Sequence, residues 1–409
     1  MILDNMKKNM KKVAGGITAV SGFEAAGLGC GLKKNGSKDL ALIYSRKPAA
    51  AAGVFTRNKY KAPPLILTQK NISNPVQAVI INSGNANACT GERGLRDAKE
   101  MAKMTAEKLG LQKEEVLVAS TGVIGNYLPM EKISSGIGQI VQKLSPAGGE
   151  AAAQAILTTD TVIKMSAYRV QVDGGKTSFT LGGMAKGSGM ICPDMATMLA
   201  FISTDAAIKK ESLQKALRQA VDYTFNLITV DGDTSTNDMV LLLANGFSGV
   251  QIREGSPLWE VFCEALFHIC RDLAYQIVSD GEGATKVVKL TIKGVPDYHT
   301  GRVLARKILN SSLVRTAFFG EDANWGRIVM AMGYADVHFI PEKVDIFLGT
   351  VQVAAAGEGL LFDEAEAKAV LMKREIPVVI DLHLGEEKVT AYGCDLSHEY
   401  VSINSSYRS

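Results

Sequence analysis

A chain of 409 residues is too long for one ordinary core, which implies two domains or one large layered unit. Hydrophobic residues make up 46% of it and charged residues 21%, the proportions of a soluble globular protein. Lys plus Arg (45) nearly cancels Asp plus Glu (42), so the net charge of +3 offers no field for nucleic acid or a membrane surface, and small-molecule partners are expected.

The N-terminal stretch "MILDNMKKNMKKVAGG" carries lysines but no apolar core of signal-peptide length, and no apolar run reaches the roughly 18 residues of a membrane span. The six cysteines (30, 89, 192, 263, 270 and 394) lack CxxC spacing, so neither a zinc site nor a disulfide framework is expected, and a reducing cytoplasm suits them. Further along, "VQAVIINSG" (76–84) predicts a buried strand running into a polar loop. "GLRDAKEMAKMTAEKLG" (94–110) predicts an amphipathic helix closed by Gly110, and "EVLVASTGVIG" (115–125) a strand and turn. Helical spacing returns at Leu213, Ala216, Leu217, Ala220 and Val221, and again from Leu258 to Ile269. The segments 286–295, 344–354 and 376–393 predict strands and hairpins, the last turning at Gly385-Glu386. Strands and helices come in runs rather than strict alternation. That favours an α+β fold of stacked mixed β-sheets flanked by helices over a doubly wound one.

Four loops are dense in Asn, Ser, Thr and Gly, each expected just after an apolar strand: "NSGNANACTG" (82–91), "STGVIGN" (120–126), "GGMAKGSGM" (182–190) and "TVDGDTSTND" (229–238). Taken singly, each reads as an ordinary turn cluster. "GLGCG" (27–31) misses the dinucleotide register, and "GGMAKGSG" misses the phosphate-loop spacing. "DGDTSTND" opens like a calcium loop but places Thr236 sixth and Leu242 twelfth, which argues against that ion. Of the five histidines, His268 lies in an apolar helix and is expected at the core or its boundary, and no GxSxG or HExxH occurs.

With histidine poorly placed, the segment "GGMAKGSGMICPDMATMLAF" suggests another base. Its glycines at 182, 183, 187 and 189 permit positive φ and close backbone approach, Pro193-Asp194 reads as a turn, and Met198–Ile202 is extended. Between them stand Ala196 and Thr197. A threonine hydroxyl is a weak nucleophile near neutral pH, and one solution is the α-amine of the same residue, with a pKa of about 7.7–8.0. An internal Thr197 gains that amine only if the Ala196–Thr197 bond is cut, and a glycine-rich bend ahead of a strand could direct its hydroxyl at the Ala196 carbonyl.

At these residues the chain resembles the ornithine acetyltransferases, also called glutamate N-acetyltransferases. "AKGSGMICPDMATMLAF" is similar to their self-processing segment, and "NSGNANACTG", "STGVIG", "LTTDT", "FNLITVDGDTSTND", "DGEGATK", "RTAFFGEDANWGRI" and "YVSINSSYRS" follow the family in order. The resemblance implies an αββα-like fold of the ornithine-acetyltransferase/aminopeptidase type with a smaller C-terminal α/β portion. It also implies a precursor cut into residues 1–196 and 197–409, assembled as α2β2. Thr197 is the implied nucleophile, carrying acetyl from N-acetylornithine to glutamate in ping-pong fashion, with the Thr121 hydroxyl and Gly122 N–H stabilising the oxyanion. Substrate contacts carry over to Thr158 or Thr159, Lys186, Thr197, Glu282, Asn404 and Ser409. No metal and no bound cofactor are implied, with acetyl-CoA left open as a second acetyl donor. The rival readings are a self-cleaving aminopeptidase of related architecture and an uncut binding module in which Thr197 merely begins a buried strand.

Overall fold

Pro48 decides how the first layers of the molecule are joined. The strand β3 (Leu40–Phe55) contains two apolar stretches, "LALIYS" and "AAAAGVF", separated by Arg46-Lys47-Pro48. Proline has no N–H to give a ladder, and the pairing register of β3 breaks between Tyr44 and Ala49. The first stretch pairs with β2 (Phe23–Leu28) and β4 (Val76–Asn85), whereas the second pairs with a strand from much later in the chain. One segment thus leaves one sheet and enters another. The computed structural model describes residues 10–172, 175–192 and 198–406.

The sheet holding the first half of β3 is completed by β5 (Val116–Val123), parallel to β4. The other sheet contains β1 (Met10–Lys12), β6 (Lys164–Val172), β7 (Thr177–Lys186), β8 (Leu199–Thr204) and β10 (Met239–Ala244), in the order β1-β6-β7-β8-β10-β3. A two-stranded ribbon, β9 (Ala207–Ile208) with β11 (Gln251–Ile252), lies beside it in sequence. Ile43, Ile81 and Leu117 of the one sheet share a buried core with Met184, Phe201 and Leu241 of the other. On the outer face of the β2–β5 sheet, helices Gly91–Leu109 and Met130–Ile140 bury Ala98, Met101, Ile133 and Ile137. Helices Lys210–Asp222 and Pro257–Ser279 cover the other sheet with Leu213, Leu217, Phe262 and Ile269. The result is the stacked α+β arrangement that the runs of strands and helices predict, in four layers.

The C-terminal portion is a second sheet system with its own core. It is built from β12 (Val287–Val295), β13 (Asp345–Leu348), β14 (Val351–Ala355), β15 (Glu358–Gly359), β16 (Glu375–Asp381) and β17 (Glu387–Cys394), in the order β15-β14-β13-β16-β12-β17. Leu290, Ile292, Leu304, Ile346 and Ile380 lie at its centre. The 344–354 hairpin forms as expected, but the 376–393 segment is not a hairpin. β12 lies between its two strands, parallel to β16 and antiparallel to β17. The connection crosses the end of β12, where the N–H groups of Leu382 and Leu384 donate to Lys293 and Gly294. Alternation identifies strands, but it does not say which edges meet.

Candidate active site

Three of the four polar loops are tied together by one amide. Asn237 Nδ2 donates to the carbonyls of Ala86 (2.6 Å) and Ser120 (2.9 Å), linking the loop ahead of β10 to the ends of β4 and β5. Ser120 in turn donates to Asn82 at 2.6 Å, and Asn82 donates to the Asn85 carbonyl at 2.8 Å. Saturating these buried groups fixes the loops to the strands that carry them. The 229–238 loop, expected after a strand, instead follows a 3₁₀ turn at Phe225–Leu227 and leads into β10. Its apolar "LITV" makes only a single bridge, Ile228 to Tyr392, so that run never becomes a ladder.

Together these loops line a cleft of about 180 Å³. Thr121, Gly122, Thr158, Thr159, Lys186, Glu282 and Asn404, all expected from the sequence, lie on its wall. Ala196, Thr197 and Ser409 are outside the described residues. Gly122 sits in β5 at φ 130, and a Cβ there would come within 2.4 Å of the Gly84 carbonyl carbon. Only glycine permits both that angle and that approach. Of the glycines at 182, 183, 187 and 189, Gly187 alone has a positive φ. Gly182 and Gly183 are strand residues of β7, and Gly189 serves proximity: a Cβ on it would lie 2.3 Å from the Glu282 carboxylate.

Two opposite charges face the cleft. Lys186 is 8% exposed, and among the described residues its ammonium has no ion-pair partner. Its charge acts on the nearby Asp160 carboxyl without an ion-pair contact, which leaves its donors available to an incoming anion. Glu282, after the helix Pro257–Ser279, is held by its own N–H on the Ser188 carbonyl (2.9 Å) and by Asn404 Nδ2 on its Oε2 (2.9 Å). Its carboxylate presents a cation site. Thr158 gives its N–H to Asp160 at 2.9 Å, whereas the Thr159 hydroxyl has no hydrogen-bond partner among the described residues.

A supporting cluster was not anticipated from the sequence. Lys164, fully buried, donates to Asp160 (2.7 Å) and Asp280 (2.6 Å), and Asp160 accepts from Gly187 N–H at 2.6 Å. Burial alone would raise the Asp160 carboxyl, but Lys186 and Lys164 outweigh it and hold the group well below the usual carboxylate range. The cluster pins "LTTDT" against the end of β7, next to Lys186. The only local signal for it was the carboxylate within "TTD" itself. Asp231, first residue of the rejected calcium pattern, accepts from the N–H groups of Met190 (2.5 Å), Ile191 (2.8 Å) and Asp233 (3.2 Å). It orders the backbone ahead of Cys192. Among the described residues no cluster of three or more His, Cys, Asp or Glu side chains is arranged to hold a metal ion. His268 lies in the middle of the helix Pro257–Ser279, half-buried at the edge of the core, with Nε2 3.0 Å from Glu264.

The ArgJ family model matches residues 24–409. A protein of Symbiobacterium thermophilum named arginine biosynthesis bifunctional protein ArgJ is 52% identical over 403 residues, covering 98% of this chain and 100% of the relative. The chain belongs to the ArgJ family. A Bacillus subtilis protein of the same name is 48% identical, with 97% of each chain covered. A solved chain described as ornithine acetyltransferase complexed with ornithine, from Mycobacterium tuberculosis, is 43% identical and covers 46% of this chain and 100% of its own, with a TM-score of 0.43. This ArgJ-family member is an acyltransferase, which separates it from the aminopeptidase and binding-module rivals. Among the described residues no helix is long and apolar enough to cross a membrane.

Proposed function

We propose that the enzyme moves an acetyl group from N-acetylornithine to glutamate through an acetyl ester on Thr197, after cutting its own chain between Ala196 and Thr197. The observation that carries this reading is the meeting, in one cleft, of an unpaired buried ammonium (Lys186), a held carboxylate (Glu282) and the Thr121-Gly122 pair. A free amino acid or its acetyl derivative needs each of these: Lys186 for its α-carboxylate, Glu282 for the side-chain ammonium of ornithine, and Thr159 or Thr158 for a further polar contact. Thr121 and Gly122 supply the donors for negative charge developing on the acetyl oxygen. The α-amine freed at Thr197 accepts the hydroxyl proton. Asn404 steadies Glu282, and Ser409 completes the expected substrate set.

The cut chains, residues 1–196 and 197–409, remain associated because the ladders run across the junction. β8 pairs with β7 from Leu181↔Thr204 to Lys186↔Leu199, and β10 pairs with the second half of β3. Cutting one peptide bond removes none of those hydrogen bonds. We assign the mature form as α2β2 in the cytoplasm, with no bound cofactor and with acetyl-CoA as a second acetyl donor to be tested.

Purified protein is expected as two fragments meeting at residue 197, forming N-acetylglutamate from N-acetylornithine and glutamate. Thr197→Ala is expected as one 43.7 kDa chain without activity. Mass spectrometry showing normal processing of that variant overturns the assignment of Thr197.

A further inference from the structure

Among the described residues two buried carboxylate oxygens lack any hydrogen-bond partner, Asp97 Oδ2 and Asp238 Oδ2, and of the two residues only Asp238 lines the cleft. Asp39 has no exposed surface and accepts from three N–H groups, those of Cys30 (2.7 Å), Leu32 (2.6 Å) and Lys33 (3.0 Å). Asp231 likewise has its three. Asp238 is 3% exposed, yet among the described residues its Oδ2 has no hydrogen-bond partner at all. A buried polar atom left unsatisfied in this way costs about 1–3 kcal/mol, so its retention calls for an explanation.

The position of Asp238 supplies one. It immediately precedes β10, and it lines the same cleft as Thr121, Gly122 and Lys186. Its own carbonyl accepts from Thr56 N–H at 3.0 Å, and the next N–H, that of Met239, donates to the Met198 carbonyl at 3.0 Å. With Met239 opposite Leu199 in the parallel β8–β10 pair, Asp238 is level with Met198, the residue after the expected nucleophile Thr197. The backbone is therefore fixed on both sides while Oδ2 of the carboxyl is left without a donor among the described residues.

We propose that Asp238 is the general acid of acetyl transfer: it gives its proton to the nitrogen that leaves the acetyl group and recovers one from the nitrogen that takes it. This rests on the acetyl-transfer reading above. In the first half-reaction the Thr197 Oγ–acetyl bond forms and the acetyl C–N bond of N-acetylornithine breaks. The hydroxyl proton goes to the Thr197 α-amine, and the Asp238 proton goes to the departing nitrogen, leaving ornithine as an amine and Asp238 as a carboxylate. In the second half-reaction the neutral amine of glutamate attacks the ester and the C–O bond breaks. Its surplus proton passes to Asp238, restoring the acid, and the α-ammonium returns its proton to Oγ. Protons balance over the cycle, and neither half expels an unprotonated amide nitrogen, which is a very poor leaving group.

The electrostatics suit a group that rests as an acid. Burial pushes the Asp238 carboxyl well above its ordinary 3.8, and the opposing pulls of Ser235 and the Lys186 ammonium do not cancel that effect. The other titratable groups on the cleft wall are Asp231, Asp233, Glu282 and Tyr400. Burial, then Asp231, Glu282 and Asp233, push the Tyr400 phenol up to about 12, so it stays neutral when the acid works.

The test compares two acetyl donors on wild type and Asp238→Asn. p-Nitrophenyl acetate releases a phenolate that needs no proton, whereas N-acetylornithine releases an amine that does. We expect Asp238→Asn to be acetylated by p-nitrophenyl acetate at a rate within about threefold of wild type, and to lose about 10²-fold or more with N-acetylornithine. Equal loss with both donors, or no loss with either, overturns the role of Asp238. A wild type inert toward N-acetylornithine overturns the acetyl-transfer reading instead, and this inference with it. Should Asp238→Asn stay uncut, infrared spectroscopy decides. Wild type at neutral pH is expected to show the C=O band of a protonated carboxylic acid that the variant lacks, and absence of that band overturns the proposal.

Discussion

The C-terminal sheet and the cleft are built by opposite rules. In the C-terminal portion the core side chains Leu290, Ile292, Ile346, Val378 and Ile380 are aliphatic and meet with no charge among them, and the one buried carboxylate of these strands, Asp381, stands at the end of β16 paired with Lys293 at 2.9 Å. Around the cleft, Lys164, Lys186, Asp160, Asp238 and Glu282 are all removed from water, although apolar side chains of similar size would fill the space at less cost. The comparison shows where stability is supplied and where it is drawn upon. Lys164 and Asp160 satisfy each other inside the fold, whereas Lys186, Asp238 and Glu282 line the cleft, and perturbed charges on a cleft wall mark a candidate site.

That contrast can be broken in three places. The largest effect is expected at Lys164→Met, which leaves the Asp160 and Asp280 carboxylates facing each other in the interior. Breaking a buried network of this kind costs about 3–5 kcal/mol, read as a fall in the urea midpoint, and should also disturb Lys186 and lower turnover. No change in midpoint would show that the cluster is not holding the end of β7. Next comes acid. The Asp160 carboxyl is depressed in the folded state, so its contribution is complete above its unfolded value of 3.8 and fades as pH falls below that toward the folded value. Urea midpoints followed into the acid range should drop there in wild type, and Lys164→Met should have lost part of that dependence. The smallest effect is expected at Ile292→Val in the fully buried middle of β12: about 0.5–1.5 kcal/mol of stability, with turnover per folded molecule unchanged. A change in turnover there would mean that the two portions do not act as separately as their cores suggest.

Much of this molecule was legible in the amino-acid order. The strand at 76–84, the helix closed by Gly110 and the long helix reaching past Ile269 follow from periodicity, because burying one face against a neighbour demands it. "STGVIG" was read as a donor loop through its resemblance to the family, and the positive φ of Gly122, which only glycine adopts, came from the structure. The 376–393 run was misread because its strand pattern is the same whether or not another strand separates its halves. The 229–238 loop was placed on the wrong side of its strand because an apolar run can end as a single bridge.

What the sequence determined alone was the inventory: which segments extend or coil, and the motifs that identify the family and name Thr121, Gly122, Lys186 and Glu282. The tertiary structure decided their relations. It set Asn237 against Ala86 and Ser120. It gave Lys164, beside its near neighbour Asp160, a second carboxylate from the distant Asp280, and it left Asp238 without a donor for its Oδ2 among the described residues. The physical reason is that a residue's charge and shape travel with the chain, whereas its solvation and its partners are set by whatever packs against it from far away in sequence.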